Sequence, residues 1–273
     1  MVMYWHSGCS FLRHVICVQD KMRVLILVGI DLQGGGVSAD EFDRKGFLSD
    51  YVYEYRDNVR TLYFMQFDEC AALSEKVQDL VVNSAVAHGE TSKVCSLLFA
   101  ERTLRSCQAA VRLCEIGMVQ EAQVLTRAGL ETMFHSSALI VDPSVIELIC
   151  LHDETEGKKF ADGILKNRSE YDVPDSKIEF LESLQSRGQG KTFSVYNSAK
   201  IAKMLRLYDV EYRFLSAMAG HATIRSLERS VAPKNSGFDF YMGPSANQLK
   251  VTLSIVRNCL EQCLINLKII LGE

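Results

Sequence analysis

The sequence predicts an all-α protein: a bundle of about seven or eight helices, with one very long helix near the N-terminus and a long core helix at the C-terminus. Three observations carry this. Apolar residues recur in steps of three and four from about residue 48 to the chain end, proline occurs only 4 times in 273 residues, and most of the 48% hydrophobic content falls in those stripes. Such a composition excludes a disordered, collagen-like or disulfide-stapled chain and allows a sizeable core.

Residues 1–40 lie outside this pattern and are expected to form an N-terminal extension to a single helical domain over 41–273. Residues 1–21 have no clear period, hold the only Trp, Trp5, and precede a second methionine, Met22, which is one candidate for the true start. The apolar run Val24 to Ile30 is too short for a secretory leader and suits a short buried strand. Gly34, Gly35 and Gly36 then read as a joint, and lack the Gly-Lys-Ser/Thr ending of a phosphate loop.

From Leu48 the stripe Val52, Tyr55, Val59, Leu62, Cys70, Leu73, Val77, Leu80 predicts a helix of about 35 to 40 residues, or two nearly collinear ones, broken in pattern only at Gln66. A second helix carries Leu97, Ala100, Leu104, Cys107, Val111 and Cys114 and stops at Gly117. A third runs from about Val119 to Val141 and ends at Asp142-Pro143; a fourth is expected to begin at that Pro, with Ile146, Ile149, Cys150, Phe160 and Ile164 on its inner face. Val173-Pro174-Asp175 breaks the chain before a short helix capped by Ser176 and ending near Leu184. Residues 186–191 read as a loop. Helices follow over about 194–207 and 209–231, the latter interrupted near Gly220, and residues 232–244 read as an irregular excursion, a small hairpin or a lid. The last helix keeps Leu249, Leu253, Val256, Leu260, Cys263, Leu267 and Ile270 in register, and Asn258, Gln262 and Asn266 interrupt any membrane-spanning window.

The net charge of −4 argues against a basic footprint over the whole surface. Nine cysteines in an odd, scattered set with no Cys-x-x-Cys pair read as reduced thiols of a cytoplasmic protein. No ligand set for a metal is found: His152 and Glu156 stand four apart but on a face expected to be solvated, and the Glu-x-x-His spacing of di-iron bundles is absent. No cofactor is implied.

Polar residues written into apolar stripes are the candidates for chemistry. Arg127, Glu131 and His135 follow at i, i+4 and i+8 and share a face with apolar neighbours, so they need partners. The plain interpretation is an ion pair that pins helix packing; the sharper one is a polar cavity that orients a ligand or a reacting group. Asp153 likewise falls in register with Ile149 and Phe160 and is a candidate ligand contact. In residues 212–228, Tyr212 and Ser216 stack at i, i+4, and His221 follows a glycine that can end a helix, where an imidazole is tuned across neutral pH. Ser216 lacks the Gly-x-Ser-x-Gly setting of a nucleophile.

Arg127-Ala-Gly-Leu-Glu131, the following Asp142-Pro143, and Tyr212-x-x-Leu215-Ser216 with His221 resemble an uncharacterised family of bacterial all-helical proteins that carries a Leu-x-Arg-x-x-x-Glu helix and a Tyr-x-x-Leu-Ser-x-x-x-x-His segment. The resemblance spans about residues 50–270 and implies that Arg127, Glu131, Tyr212, Ser216 and His221 meet in space, with no activity to carry over. A more distant likeness is to HEPN-type helical domains, many of which cut RNA with an Arg and a His on one helix, four to six residues apart. Here Arg213 and His221 have seven residues between them, a departure from that spacing. Two functions follow as expectations: a binding or interaction module whose buried polar cluster holds a small ligand, or a metal-independent ribonuclease of a toxin or phage-defence system, with His221 as base and Arg127 and Glu131 beside it. A homodimer through the first or last long helix is compatible with either, and no membrane is expected as a partner.

Overall fold

The computed structural model describes residues 39–273, apart from 86–88, 189, 191, 221–223, 228–229, 235–236, 241 and 273. The expectations for Met22, the apolar run 24–30 and the glycine joint lie outside the described residues, as does that for His221.

The N-terminal helical stripe is divided. After α1 (Ala39–Lys45), α2 (Tyr51–Leu62) and α3 (Phe64–Val82) are separated at Tyr63, whose φ of −119° and ψ of 29° leave the helical region. The single very long helix is thus corrected to two. The run Leu62-Tyr63-Phe64-Met65 holds more large apolar side chains than one face can take. The break leaves Leu62, Phe64 and Met65 exposed and turns Phe67 inward, onto the same core as Val59, Cys70 and Val77.

The hairpin of α4 (Thr91–Glu115) and α5 (Val119–Val141) is the centre of the fold. It turns at Gly117, whose φ of 78° favours glycine. The two helices approach closely at Gly129, where a Cβ would lie 3.4 Å from Ser106 Cβ and 3.5 Å from Cys107 Sγ. α6 (Val145–Lys166) starts two residues later than the Pro143 rule implies, because Asp142 Oδ1 accepts from the Ser144 N–H at 3.0 Å and its hydroxyl at 2.7 Å, holding Pro143 and Ser144 in a turn. Its buried residues are Val145, Ile149, Thr155 and Ala161, while Cys150 and Phe160 are exposed. The inner face is therefore rotated from the expected one, since α7 (Asp175–Arg187) packs along α6 and takes its later turns. α7 begins at Asp175 after Pro174, not at a Ser176 cap, and runs to Arg187, into the expected loop.

α8 (Val195–Ile201) opens on a reciprocal cap between Ser194 and Asn197. Residues 205–220 form one continuous helical segment, here α9, that alternates between α turns, Leu205–Leu207 and Arg213–Leu215, and π turns, Tyr208–Tyr212 and Ser216–Gly220. A short α10 (Ile224–Leu227) and an antiparallel hairpin, β1 (Val231–Lys234) with β2 (Gly237–Phe240), follow, so the 232–244 excursion contains the one pair of strands among the described residues. α11 (Leu249–Leu271) ends at Gly272 in the left-handed region.

α11 is the core helix, packing on α3, α4 and α5 through Leu249, Leu253, Val256, Leu260, Cys263 and Leu267. Buried thiols serve as small apolar fillers with a weak donor: Cys70 Sγ donates to Leu253 O and Cys263 Sγ to Ala100 O, both at 3.4 Å. Burial pushes the Cys70 thiol up to about 12, so it stays protonated. Among the described residues no helix is long and apolar enough to cross a membrane.

Candidate functional site

The site forms where α9 lies across α5. Residues four apart overshoot one turn of an α-helix and fall short of one turn of the wider π-helix, so alternating the two keeps Tyr208, Tyr212, Ser216 and Gly220 in one row. That row meets Arg127 and Glu131 on α5. The Arg127 Nε donates to Ser216 Oγ at 2.9 Å and its Nη2 to the Tyr212 hydroxyl at 2.7 Å. Tyr212 passes its own proton to Glu131 Oε1 at 2.8 Å, and Ser216 donates to the Tyr212 carbonyl at 2.9 Å. Arg127 Nη2 also lies 3.0 Å from Glu131 Oε1.

Each of the two hydroxyls therefore accepts from the guanidinium and donates onward, which fixes their proton positions by elimination. Burial, followed by the bond to Glu131, pushes the Tyr212 phenol up to about 12, so it remains a donor. The guanidinium sits 4.9 Å from the centre of the Tyr212 ring, and Tyr208 stacks on Tyr212 with centroids 4.9 Å apart. Phe134 closes the inner side of both rings. Gly220 presses on the arginine stem: a Cβ there would lie 2.9 Å from Arg127 Cδ and 3.0 Å from Nε.

The cluster is not sealed. The Arg127 and Glu131 side chains keep 22% and 28% of their exposure. Among the described residues, Arg127 Nη1 and Glu131 Oε2 have no hydrogen-bond partner. The arrangement presents a donor edge and an acceptor edge side by side, rigid behind and open in front. A hollow of about 410 Å³ at the α6–α7 turn, lined by Leu165, Lys166, Arg168, Ser169, Asp172 and Val173, involves none of these residues.

Of the residues singled out in the sequence, the structure brings together Arg127, Glu131, Tyr212 and Ser216. His135, one turn beyond Glu131, belongs to a different cluster. Its Nδ1 is 2.7 Å from Ser198 Oγ, and its ring lies between Phe99 and Phe193, at 5.3 and 6.2 Å. Burial, with the His152 charge adding to it and Asp153 opposing, holds His135 down at about 4, so it is neutral near pH 7. Asp153 is exposed on α6 and makes no contact with the Arg127 cluster, because the inner face of α6 is rotated from the expected one. His152 Nδ1 accepts from the Phe193 N–H at 3.4 Å and Glu156 pairs with Lys159 at 2.7 Å, so they do not converge. Among the described residues no group of three or more His, Cys, Asp and Glu side chains could hold a metal ion.

Two parts of the site escaped sequence reasoning. Tyr208 was legible in principle, as the residue four before Tyr212. The contact of Gly220 with Arg127 was not, since it depends on the π turns.

Residues 93–239 match the model of a family described as of unknown function, DUF5677. The matched stretch runs from α4 to β2 and so contains the Arg127, Glu131, Tyr212 and Ser216 cluster. No curated protein and no solved structure matches the chain.

Proposed function

The chain belongs to the family of unknown function DUF5677, and from the geometry within that family's segment we propose that it is a small-ligand binding module whose site is the Arg127–Glu131 notch between α5 and α9. One observation carries this reading: a partly exposed ion pair is held rigid from behind by Tyr212, Ser216 and Gly220, while one edge of each charged group has no partner among the described residues. Preorganised polar groups of this kind set ligand orientation at low entropic cost. The seven free cysteines among the described residues, five of them buried, support a reducing, cytoplasmic setting. Pairing of two copies over the exposed Val251, Ile265 and Ile269 of α11 is compatible with this site, which lies on other helices.

The test is amide chemical-shift mapping of ¹⁵N-labelled protein against acetate, acetamide, inorganic phosphate and L-alanine. Saturable shifts centred on residues 127–131 and 212–216 with at least one probe are expected. A spectrum that no probe moves there would refute the module.

A second reading, the metal-independent ribonuclease, draws on one relationship: Gly220, which packs on Arg127, directly precedes His221 in the sequence. In that role Arg127 would hold the phosphate and His221 would act as base. Cleavage of total RNA by the wild type and not by His221→Ala is its expected outcome; equal cleavage, or none, rejects it.

A further inference from the structure

The chemistry of the notch narrows its ligand. Arg127 Nη1 offers donors and Glu131 Oε2 an acceptor, on two groups whose other atoms, Nη2 and Oε1, are 3.0 Å apart. A lone anion that approaches Nη1 meets the Glu131 carboxylate, and a lone cation that approaches Oε2 meets the guanidinium, so each gains one attraction and suffers one repulsion. A neutral amide fits both edges with hydrogen bonds but gives neither charged group an oppositely charged ligand atom. Only a ligand with a positive and a negative group at adjacent positions satisfies both edges in hydrogen bonding and in charge. Access is edge-on, since the Tyr212 ring covers one face of the guanidinium and Gly220 lies against its stem. Neither charged group can swing to chase a different ligand, because Ser216 and Tyr212 hold Arg127 and Tyr212 holds Glu131.

We propose that the notch binds the zwitterionic head of a free α-amino acid, the carboxylate on Arg127 Nη1 and the ammonium on Glu131 Oε2. The proposal rests on the binding-module reading above and specifies the ligand class of the same site.

Isothermal titration of the full chain tests it, with L-alanine, L-leucine and L-phenylalanine as zwitterions and with acetate, methylammonium, acetamide and inorganic phosphate as single-function controls. At least one amino acid is expected to bind roughly tenfold or more tightly than every control. Glu131→Gln keeps an acceptor for Tyr212 and removes the charge; it is expected to weaken amino-acid binding by about tenfold and to strengthen acetate. Arg127→Lys, which keeps the charge and loses the fork, gives a second variant for the same comparison, and melting curves verify that both are folded. Acetate or phosphate binding as tightly as the amino acids, or amino-acid binding unchanged in both variants, overturns the ligand class and leaves the binding module standing. Heat from none of the probes overturns both.

Discussion

Gly220 lies so close to Arg127 that a methyl group in place of its hydrogen would come within 2.9 Å of the arginine Cδ. The guanidinium is thereby fixed from two sides, by hydroxyls along its edge and by bare backbone along its stem. Gly220→Ala must displace the stem, which is flexible, so the fold survives and the cost is modest. We expect a loss of about 1 kcal/mol in denaturant unfolding in the wild-type background and nearly none in an Arg127→Ala background. Equal costs in both backgrounds would mean that the clash is taken up elsewhere.

The Tyr212 hydroxyl is the hinge pin of the cluster, accepting from Arg127 and donating to Glu131. Tyr212→Phe keeps the ring that stacks on Tyr208 and packs on Phe134, and removes both bonds. Because one bond accepts from a cation and the other donates to an anion, the expected loss is about 1.5–3 kcal/mol, larger than for a neutral pair. Urea unfolding of the variant measures it; a change below about 0.5 kcal/mol would show that water replaces the hydroxyl without cost.

Part of this arrangement is legible in the sequence. The third helix is predicted over Val119 to Val141, as observed, because Gly117 precedes it and Asp142-Pro143 ends it. Arg127 and Glu131 stood out as charges on an apolar stripe, and Tyr212 with Ser216 as an i, i+4 pair. The rest was hidden for physical reasons. A π turn requires no residue type of its own, so the contact of Gly220 with Arg127 carries no sequence mark. The phase of α6 is set by α7 packing on it, which misled the placement of Asp153. The division at Tyr63 follows from crowding among four consecutive large side chains rather than from a glycine or proline.

His135 predicts a pH dependence. Its folded-state value is held at about 4, below the usual 6.5, chiefly by burial. Between those two values the unfolded chain binds the proton and the folded one does not, so stability falls as the pH drops from about 6.5 to about 4 and the effect levels off below that. The full effect is on the order of 3 kcal/mol. Unfolding curves from pH 7.5 to 4.5 for wild type and His135→Phe check this: the variant should show a shallower decline through that window, and parallel curves would contradict it.

Gly117 makes a stability prediction independent of the site. It has a φ of 78°, and a Cβ there would lie 2.6 Å from Pro244 Cβ and 2.7 Å from the Ser245 nitrogen, which donates to Gly117 O at 3.0 Å. Strain and clash act together with backbone as the obstacle, so Gly117→Ala should cost about 2 kcal/mol or more, read as a lower melting temperature. A variant that melts with the wild type would show that the 244–245 segment yields easily.

The central claim is that the Arg127–Glu131 pair is a receptive site and not merely a packing device. The most direct measurement is the Arg127 Nε–H resonance of ¹⁵N-labelled protein during titration with the amino-acid probes. A saturable shift of that resonance that weakens in Glu131→Gln, which keeps the Arg127 guanidinium and so the signal itself, is the predicted result. A resonance that stays in place at saturating probe, in protein whose amide spectrum remains folded, would contradict the claim.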